Sequence, residues 1–527
     1  MTKHIRTERT LLLALGLGVL LFAFYKLGHY PIMTSLDEGY RLQLPKNLAQ
    51  HGRWAAMLDG QFVPYWSDST GPAVLLPITL AFKLLGVSLI SARVVMSAYV
   101  VFTACSVYAL TRFLYGRWAA LLSVPLLLLA GPRGYSALAL GREVFGEIPA
   151  LGFFFLGVLC WCKFVSANAQ QKRQPKILLV ACACFGVMTL CKDLFAVFTC
   201  VTLIVVGLML WRSPSKDQPR LYVQASLVPV VVMALTFVLW RVAQRILTQG
   251  QGFDATAQQM VDLTPGSYVL VLFNFRLWGE ALRHLYEGGF LLLGIPALLF
   301  AVATALSHSN PQRLHYLFVP LFVSFWLMWF AFFSITWMRY AMPAWCASAI
   351  LVSHFLVQGL WQKLTTAVAD GNTRPVAWSQ RFMRLSVMAL IFFVTLWPAQ
   401  NEFRRIRTAN NGDTVAMAQF VQSQIPSTSH VLSTEWEVSV FTERPLLYPS
   451  FGSIDRLIRK EQLNGETISA TGNNSAQGIF DVAALKPEYI VVGNYNRGTQ
   501  IVPQAYLQTR CKQMVALEDY QAYQCQN

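Results

Sequence analysis

The chain has 527 residues, of which 55% are hydrophobic and only 13% charged, and its formal net charge is +16. Soluble domains carry about 25% charged residues, so a wholly soluble architecture is excluded. The basic excess does not point to nucleic acid. Lys and Arg mostly occupy short loops between apolar runs, as in the cytoplasmic loops of membrane proteins, and the soluble part has no basic stripe interleaved with aromatics.

A membrane span takes roughly 20 apolar residues. The basic start, Met1-Thr-Lys-His-Ile-Arg6, precedes an apolar run too long for a signal-peptide core. Residues 11–29 are therefore predicted as a retained first span. A polar, aromatic-rich loop follows to about residue 71. Residues 73–87 are apolar but short, and read as a helix lying at the interface. Spans are expected at 91–112, 118–132 and 146–164. The run 177–211 is split in two by Lys192-Asp193, and further spans follow at 221–247, 289–307, 314–333, 340–361 and 384–400.

With about eleven spans and the N-terminus inside, every inside loop carries Lys or Arg; Gln170-Gln-Lys-Arg-Gln-Pro-Lys176 is the clearest case. Counting 73–87 as a span would invert every later segment and lose this agreement. The outside loop 248–288 contains Phe275 to Tyr286, apolar at helical spacing and predicted as an amphipathic surface helix.

From residue 401 the texture changes. Val431-Leu432 and Tyr489 to Val492 read as short buried strands, Thr414 to Gln424 and Gln504 to Arg510 as helices, and the end as a closing hairpin. The fold class is thus an α-helical polytopic membrane protein with a small C-terminal α/β domain. The domains divide as 1–400, membrane-embedded, and 401–527, extracytoplasmic.

Eight cysteines lie in or beside apolar runs, where Cys acts as a small hydrophobe. Neither Cys160-Trp-Cys162 nor Cys182-Ala-Cys184 has a second ligand pair at zinc spacing, so no metal site is assigned. Cys511 and Cys525 suit a disulfide if the tail is extracytoplasmic. Asn473-Asn-Ser475 matches the N-glycosylation triplet, a pattern that also occurs by chance.

Three outer-face features bear chemistry. The first is Asp37-Glu38-Gly-Tyr40-Arg41, opening a helical stretch. Adjacent carboxylates there suit a general base, whereas capping and an Asp37–Arg41 pair are the purely structural reading. The second is Arg142-Glu143-Val-Phe-Gly-Glu147, whose two Glu share a face if helical; an Arg142–Glu pair or a helix-dipole contact is the alternative. The third is Trp337-Met-Arg339-Tyr340 with Pro343, where a cation could hold phosphate or anchor the headgroup belt. Lys192-Asp193 and Arg133 fall on the same side. A transporter or flippase of a charged lipid or sugar would use such charges too, but no internal symmetry of the transporter kind is visible.

These features in order resemble the membrane glycosyltransferases of the GT-C fold, in the branch of protein O-mannosyltransferases and bacterial aminoarabinose transferases. The resemblance rests on Asp37-Glu38-Gly-Tyr40, then Gly52-Arg-Trp54, Ala92-Arg93, the basic turn Arg112 to Arg117, the acidic Glu143 or Glu147, and Arg339-Tyr340 to Pro343. Many relatives carry Lys-Pro-Pro before the interfacial helix; this chain has Ser69-Thr-Gly-Pro72.

The resemblance implies an inverting transfer of a hexosyl or pentosyl group from a polyprenyl-phosphate donor. The acceptor would be a lipid, glycan or protein. Asp37 and Glu38 would be catalytic. Glu147, Glu143, Tyr40, Tyr65 and Trp66 would position sugar or acceptor. Arg339, Lys192, Arg142 and Tyr340 would hold the donor phosphate. No cofactor is fixed, and a divalent metal is left open. A bacterial inner membrane is the expected location, with the C-terminal domain periplasmic or extracellular.

Overall fold

The computed structural model describes residues 2–29, 35–58, 61–64, 70–129, 131, 135–169, 174–212, 219–248, 272–307, 315–334, 336–362, 376–408, 412–448 and 482–526. Tyr65, Trp66, Arg133 and the Asn473 triplet lie outside them, as does the side chain of Asp37.

The membrane part begins with α1 (Thr2–Phe24) and α2 (Ser35–His51). A hairpin follows, β1 (Ala55–Leu58) with β2 (Gln61–Pro64), antiparallel with Leu58 opposite Gln61. The sequence reading made this stretch a loop, although Asp59-Gly60 is a strong hairpin signal.

Next come α3 (Pro72–Leu85), α4 (Leu89–Tyr115), α5 (Arg117–Leu128), α6 (Ala137–Arg142) and α7 (Glu147–Ala169). Then follow α8 (Pro175–Cys191), α9 (Leu194–Arg212), α10 (Pro219–Leu247) and α11 (Phe275–Glu287). The last of the bundle are α12 (Ile295–Ser307), α13 (Phe318–Phe333), α14 (Met338–His354) and α15 (Val376–Thr408). π-Helical turns at Phe290–Gly294 and Phe355–Gln362 extend α12 and α14. Residues 177–211 do break at Lys192-Asp193, and Phe275–Glu287 is the helix expected on the surface. α15 runs on eight residues past the predicted end of its span, to Thr408.

Local chemistry sets the helix ends. Pro72 opens α3 after Gly71, as suits a residue with no N–H to lose. Ser88 and Ser136 cap α4 and α6 by accepting the Ser91 and Ala139 N–H. Gly116, at φ +85°, takes the left-handed turn between α4 and α5.

Seven helices among the described residues are long and apolar enough to cross a membrane, and α1, α3, α5 and α8 hold shorter apolar stretches. α7 packs between α4 and α8, and α14 against α5 and α13. The centre is aromatic: Phe154, Phe195, Phe318, Phe322 and Trp326 are buried together. Leu13 and Leu17 of α1, and Leu235 and Leu239 of α10, stay exposed on the outer flank, a surface suited to hydrocarbon.

The C-terminal part holds α16 (Gly412–Gln424), β3 (Val431–Ser433), α17 (Val438–Phe441), α18 (Val482–Leu485), β4 (Tyr489–Val492), α19 (Asn494–Thr499), α20 (Gln504–Arg510), β5 (Cys511–Ala516) and β6 (Gln521–Cys525). The sheet order is β3-β4-β6-β5. β3 and β4 are parallel; β6 is antiparallel to both neighbours, with Tyr489 opposite Gln524 and Cys511 opposite Cys525. All four residues of β4 are buried, as a central strand requires. Cys511 and Cys525 are joined by a disulfide across the β5–β6 pair.

Candidate active site

The site lies where α2, the 142–147 turn and the starts of α9 and α14 meet, at the end of the bundle covered by the C-terminal domain. Asp37 is in the first turn of α2. Glu38, next to it, is fully buried and pairs with Arg93 of α4 at 3.1 Å. Arg93 also donates to the Leu27 carbonyl at 3.1 Å, tying the exit of α1 to the start of α2. Glu38 keeps one carboxylate oxygen, Oε1, without a partner among the described residues. The sequence reading missed Arg93 as a site residue, although Ala92-Arg93 was part of the resemblance.

Phe145 is the hub. Arg41 of α2 lies 4.4 Å from its ring centroid and donates to the Val144 carbonyl. Arg339 of α14 lies 5.7 Å from the same ring, and also sits over Trp337 and Tyr340. Two cations from distant helices thus approach one aromatic ring. The Tyr340 carbonyl accepts from the Trp326 indole at 2.7 Å, which ties the start of α14 to the aromatic centre.

Two residues beyond Phe145, Glu147 pairs with Lys192 at 3.1 Å, both nearly buried. Glycines make this possible. A Cβ on Gly146 would sit 2.3 Å from the Cys191 carbonyl oxygen, and one on Gly71 2.0 Å from that of Leu190. Gly71 N–H also donates to the Cys191 carbonyl at 3.1 Å. The end of α8 is therefore clasped between the two glycines. That contact sets Lys192 beside Thr70-Gly71-Pro72. Asp193 turns outward to Arg241 of α10 at 2.8 Å.

Other candidates lie differently. Arg142 is fully buried and donates to the carbonyls of Tyr25, at 2.6 Å, and Phe22. Its guanidinium thus caps the end of α1. Glu143 is buried at the C-cap of α6. Tyr40 points at the C-terminal domain, edge-on to Trp436 at 5.2 Å. Among the described residues, no group of three His, Cys, Asp or Glu side chains is placed to hold a metal.

The soluble domain touches α2 closely. Gln43 donates to the Ser439 hydroxyl, and Lys46 to the carbonyls of Ser439 and Thr442 at 2.9 and 2.7 Å. Burial, opposed by the charge of Glu443, holds the Lys46 ammonium down to about 8. A separate apolar cavity of about 840 Å³ runs beside α1, from Phe22 and Leu138 to Leu11, Trp118 and Trp361.

Comparison with known proteins bears on the fold. Residues 69–240 match the family model described as dolichyl-phosphate-mannose-protein mannosyltransferase. No curated protein matches the chain. Among solved structures, ArnT from Cupriavidus metallidurans in the apo state is similar over 97% of each chain, with TM-score 0.59 and 14% identity. The same protein bound to undecaprenyl phosphate matches equally well, over 98% of this chain and 97% of that one. AglB, an archaeal oligosaccharyltransferase from Archaeoglobus fulgidus, is similar at TM-score 0.57 and 13% identity, over 95% of this chain and 72% of its own. The fold is that of the GT-C glycosyltransferases, as the sequence resemblance implied.

Proposed function

We propose that the chain is an inverting glycosyltransferase that takes a sugar from a polyprenyl-phosphate donor on the extracytoplasmic side of the membrane. The observation that carries this reading is the convergence around Phe145. An acidic helix start, the Glu147–Lys192 pair and Arg339 meet there, at the end capped by the soluble domain. The solved ArnT complex with undecaprenyl phosphate supports the donor class.

In this reading the acceptor hydroxyl oxygen attacks the anomeric carbon as the bond from that carbon to the phosphate oxygen breaks. Asp37 takes the hydroxyl proton as general base. The phosphate leaves with the bonding electrons, and Lys192 and Arg339 stabilise the charge it gains. Lys192 fills the role that the Lys-Pro-Pro lysine has in relatives, from the neighbouring turn. Glu38 and Glu147 hold the site's cations in place. The apolar cavity beside α1 gives a polyprenyl chain a path through the hydrocarbon layer. A bacterial inner membrane suits this donor chemistry.

Purified protein in detergent, incubated with a labelled polyprenyl-phosphate sugar and a cell-envelope extract as acceptor, should transfer the label. Asp37→Asn should abolish transfer while expression and membrane insertion persist. Full transfer by Asp37→Asn rules out the mechanism. Vectorial movement of the labelled lipid in liposomes without bond cleavage points to a flippase instead.

A further inference from the structure

The corner between α13 and α14 delivers Arg339 to the site, and its backbone is unusual. Thr336 takes φ +56°. Left-handed backbone is uncommon outside glycine, and for a β-branched residue it is an outlier, because the side chain crowds the neighbouring carbonyl. Lys26, Thr336, Lys486 and Gln500 are the non-glycine residues with positive φ among those described, and only Thr336 is β-branched. Glycine would take the same turn without the crowding. What threonine adds is a hydroxyl on a stiff χ1.

The hydroxyl has a partner on another element. Thr336 Oγ1 donates to Glu280 Oε2 of α11 at 3.4 Å, a long bond. The Thr336 N–H donates to the Ser334 hydroxyl at 3.1 Å, which itself donates to the Phe330 carbonyl of α13 at 2.7 Å. Thr336 and Ser334 are both buried. α11 is held over this corner by more than the one bond. Its Leu277, Ala281 and Leu285 are buried, and Trp278 meets Phe332 of α13 edge-on at 5.0 Å. Gly288, which ends α11, faces α14 closely: a Cβ there would lie 2.7 Å from the Trp345 ring. Arg276, one turn before Glu280, pairs with it at 3.5 Å.

We propose that Thr336 is a positioning residue for Arg339. Pinned to Glu280 of α11 on one side and to Ser334 at the end of α13 on the other, it sets the direction in which α14 leaves the corner. The proposal rests on the reading that Arg339 acts on the donor phosphate. Trp337 caps α14, and its carbonyl accepts the Tyr340 N–H at 2.8 Å, so a change in the Thr336 backbone turns the first turn of the helix with it. That turn carries the Trp337 and Tyr340 rings beside Arg339, with centroids 4.6 and 5.3 Å from its guanidinium, and brings Arg339 to 5.7 Å from Phe145. Strained backbone persists where its surroundings over-determine it, and such places cluster at functional sites.

The test uses the full chain in detergent, read by melting midpoint and by transfer of a labelled sugar from polyprenyl phosphate to a cell-envelope extract. Thr336→Val keeps the shape and removes the hydroxyl. Its kcat should fall, by up to about a hundredfold if Arg339 is displaced by about 1 Å. Glu280→Met should fall by a similar factor, and the double variant should be no worse than either single one, as for two residues acting through one contact. Thr336→Ser keeps the hydroxyl and should retain transfer. Thr336→Gly removes the crowding and the pin together, so the melting midpoint should hold or rise while kcat falls. A residue that only supports the fold would not separate the two readouts. Full transfer by Thr336→Val or Thr336→Gly overturns the proposal. So does a Thr336→Gly variant that loses stability along with transfer, or additive losses from Thr336→Val and Glu280→Met. If Arg339→Met transfers normally, the phosphate reading of Arg339 falls, whereas non-additive melting shifts at Thr336 and Glu280 would still establish the pinned corner.

Discussion

Glu38 and Arg93 form a fully buried ion pair reaching from α2 to α4. Removing one partner of such a pair leaves an uncompensated charge in a low-dielectric site, at a cost of about 3–5 kcal/mol. Arg93→Met should therefore lower the unfolding midpoint strongly in thermal or denaturant titration. Adding Glu38→Gln should restore most of the loss, since a neutral amide needs no cation. A double variant as unstable as the single one would mean that the pair is not what holds the two helices.

Lys192 belongs to the same scale with a different readout. Lys192→Met should reduce kcat by about 10²–10³, the effect of removing one donor from a developing oxyanion, with smaller change in donor KM. The acidic and basic candidates were legible in the sequence as residue types. Their partners were not, because Arg93 lies 55 positions from Glu38 and Lys192 lies 45 from Glu147. Arg142 shows the limit most clearly: the family resemblance implied a phosphate role for it, yet the end of α1 supplies two carbonyls for its guanidinium.

At the scale of elements, the end of α8 is held by backbone contacts that only glycine permits. Gly146→Ala should force its Cβ against the Cys191 carbonyl, and backbone cannot give way as a side chain can. Overpacking of this kind costs about 1–3 kcal/mol. The expected result is a lower melting temperature together with reduced transfer, because the displaced turn carries Lys192. Gly279, with open space around the same position, is the control that should tolerate alanine without loss of transfer.

The β5–β6 pair offers a second test. Its disulfide spans a sequence separation of 14, and closing a loop of that length is worth about 3 kcal/mol in the chain-entropy model. Reduction should destabilise the C-terminal domain by about that amount while the bundle's own transition stays put. Helices were readable because a run of apolar residues fixes an element almost regardless of its neighbours. The β1–β2 hairpin was not read, because four-residue strands leave little periodicity and only Asp59-Gly60 announces the turn.

For the whole molecule, the arrangement of the candidate residues makes sidedness a functional question. α4 has 27 residues, about 40 Å as a helix, and it carries Arg93 near one end and Arg112 near the other. Arg93 pairs with Glu38 of α2, the helix that the soluble domain touches through Lys46, so Arg112 and the basic turn that follows mark the opposite face. If positive loops are cytoplasmic, the soluble domain and the transfer site must both be outside. Single cysteines can test this, because the native free cysteines of the described residues lie on bundle helices, most of them buried. Gln508→Cys, on the exposed face of α20, should react with a membrane-impermeant maleimide in intact cells or spheroplasts. Arg112→Cys should react only after permeabilisation. The reverse pattern would place Asp37, Lys192 and Arg339 on the cytoplasmic side and remove the outer-leaflet donor from the proposal.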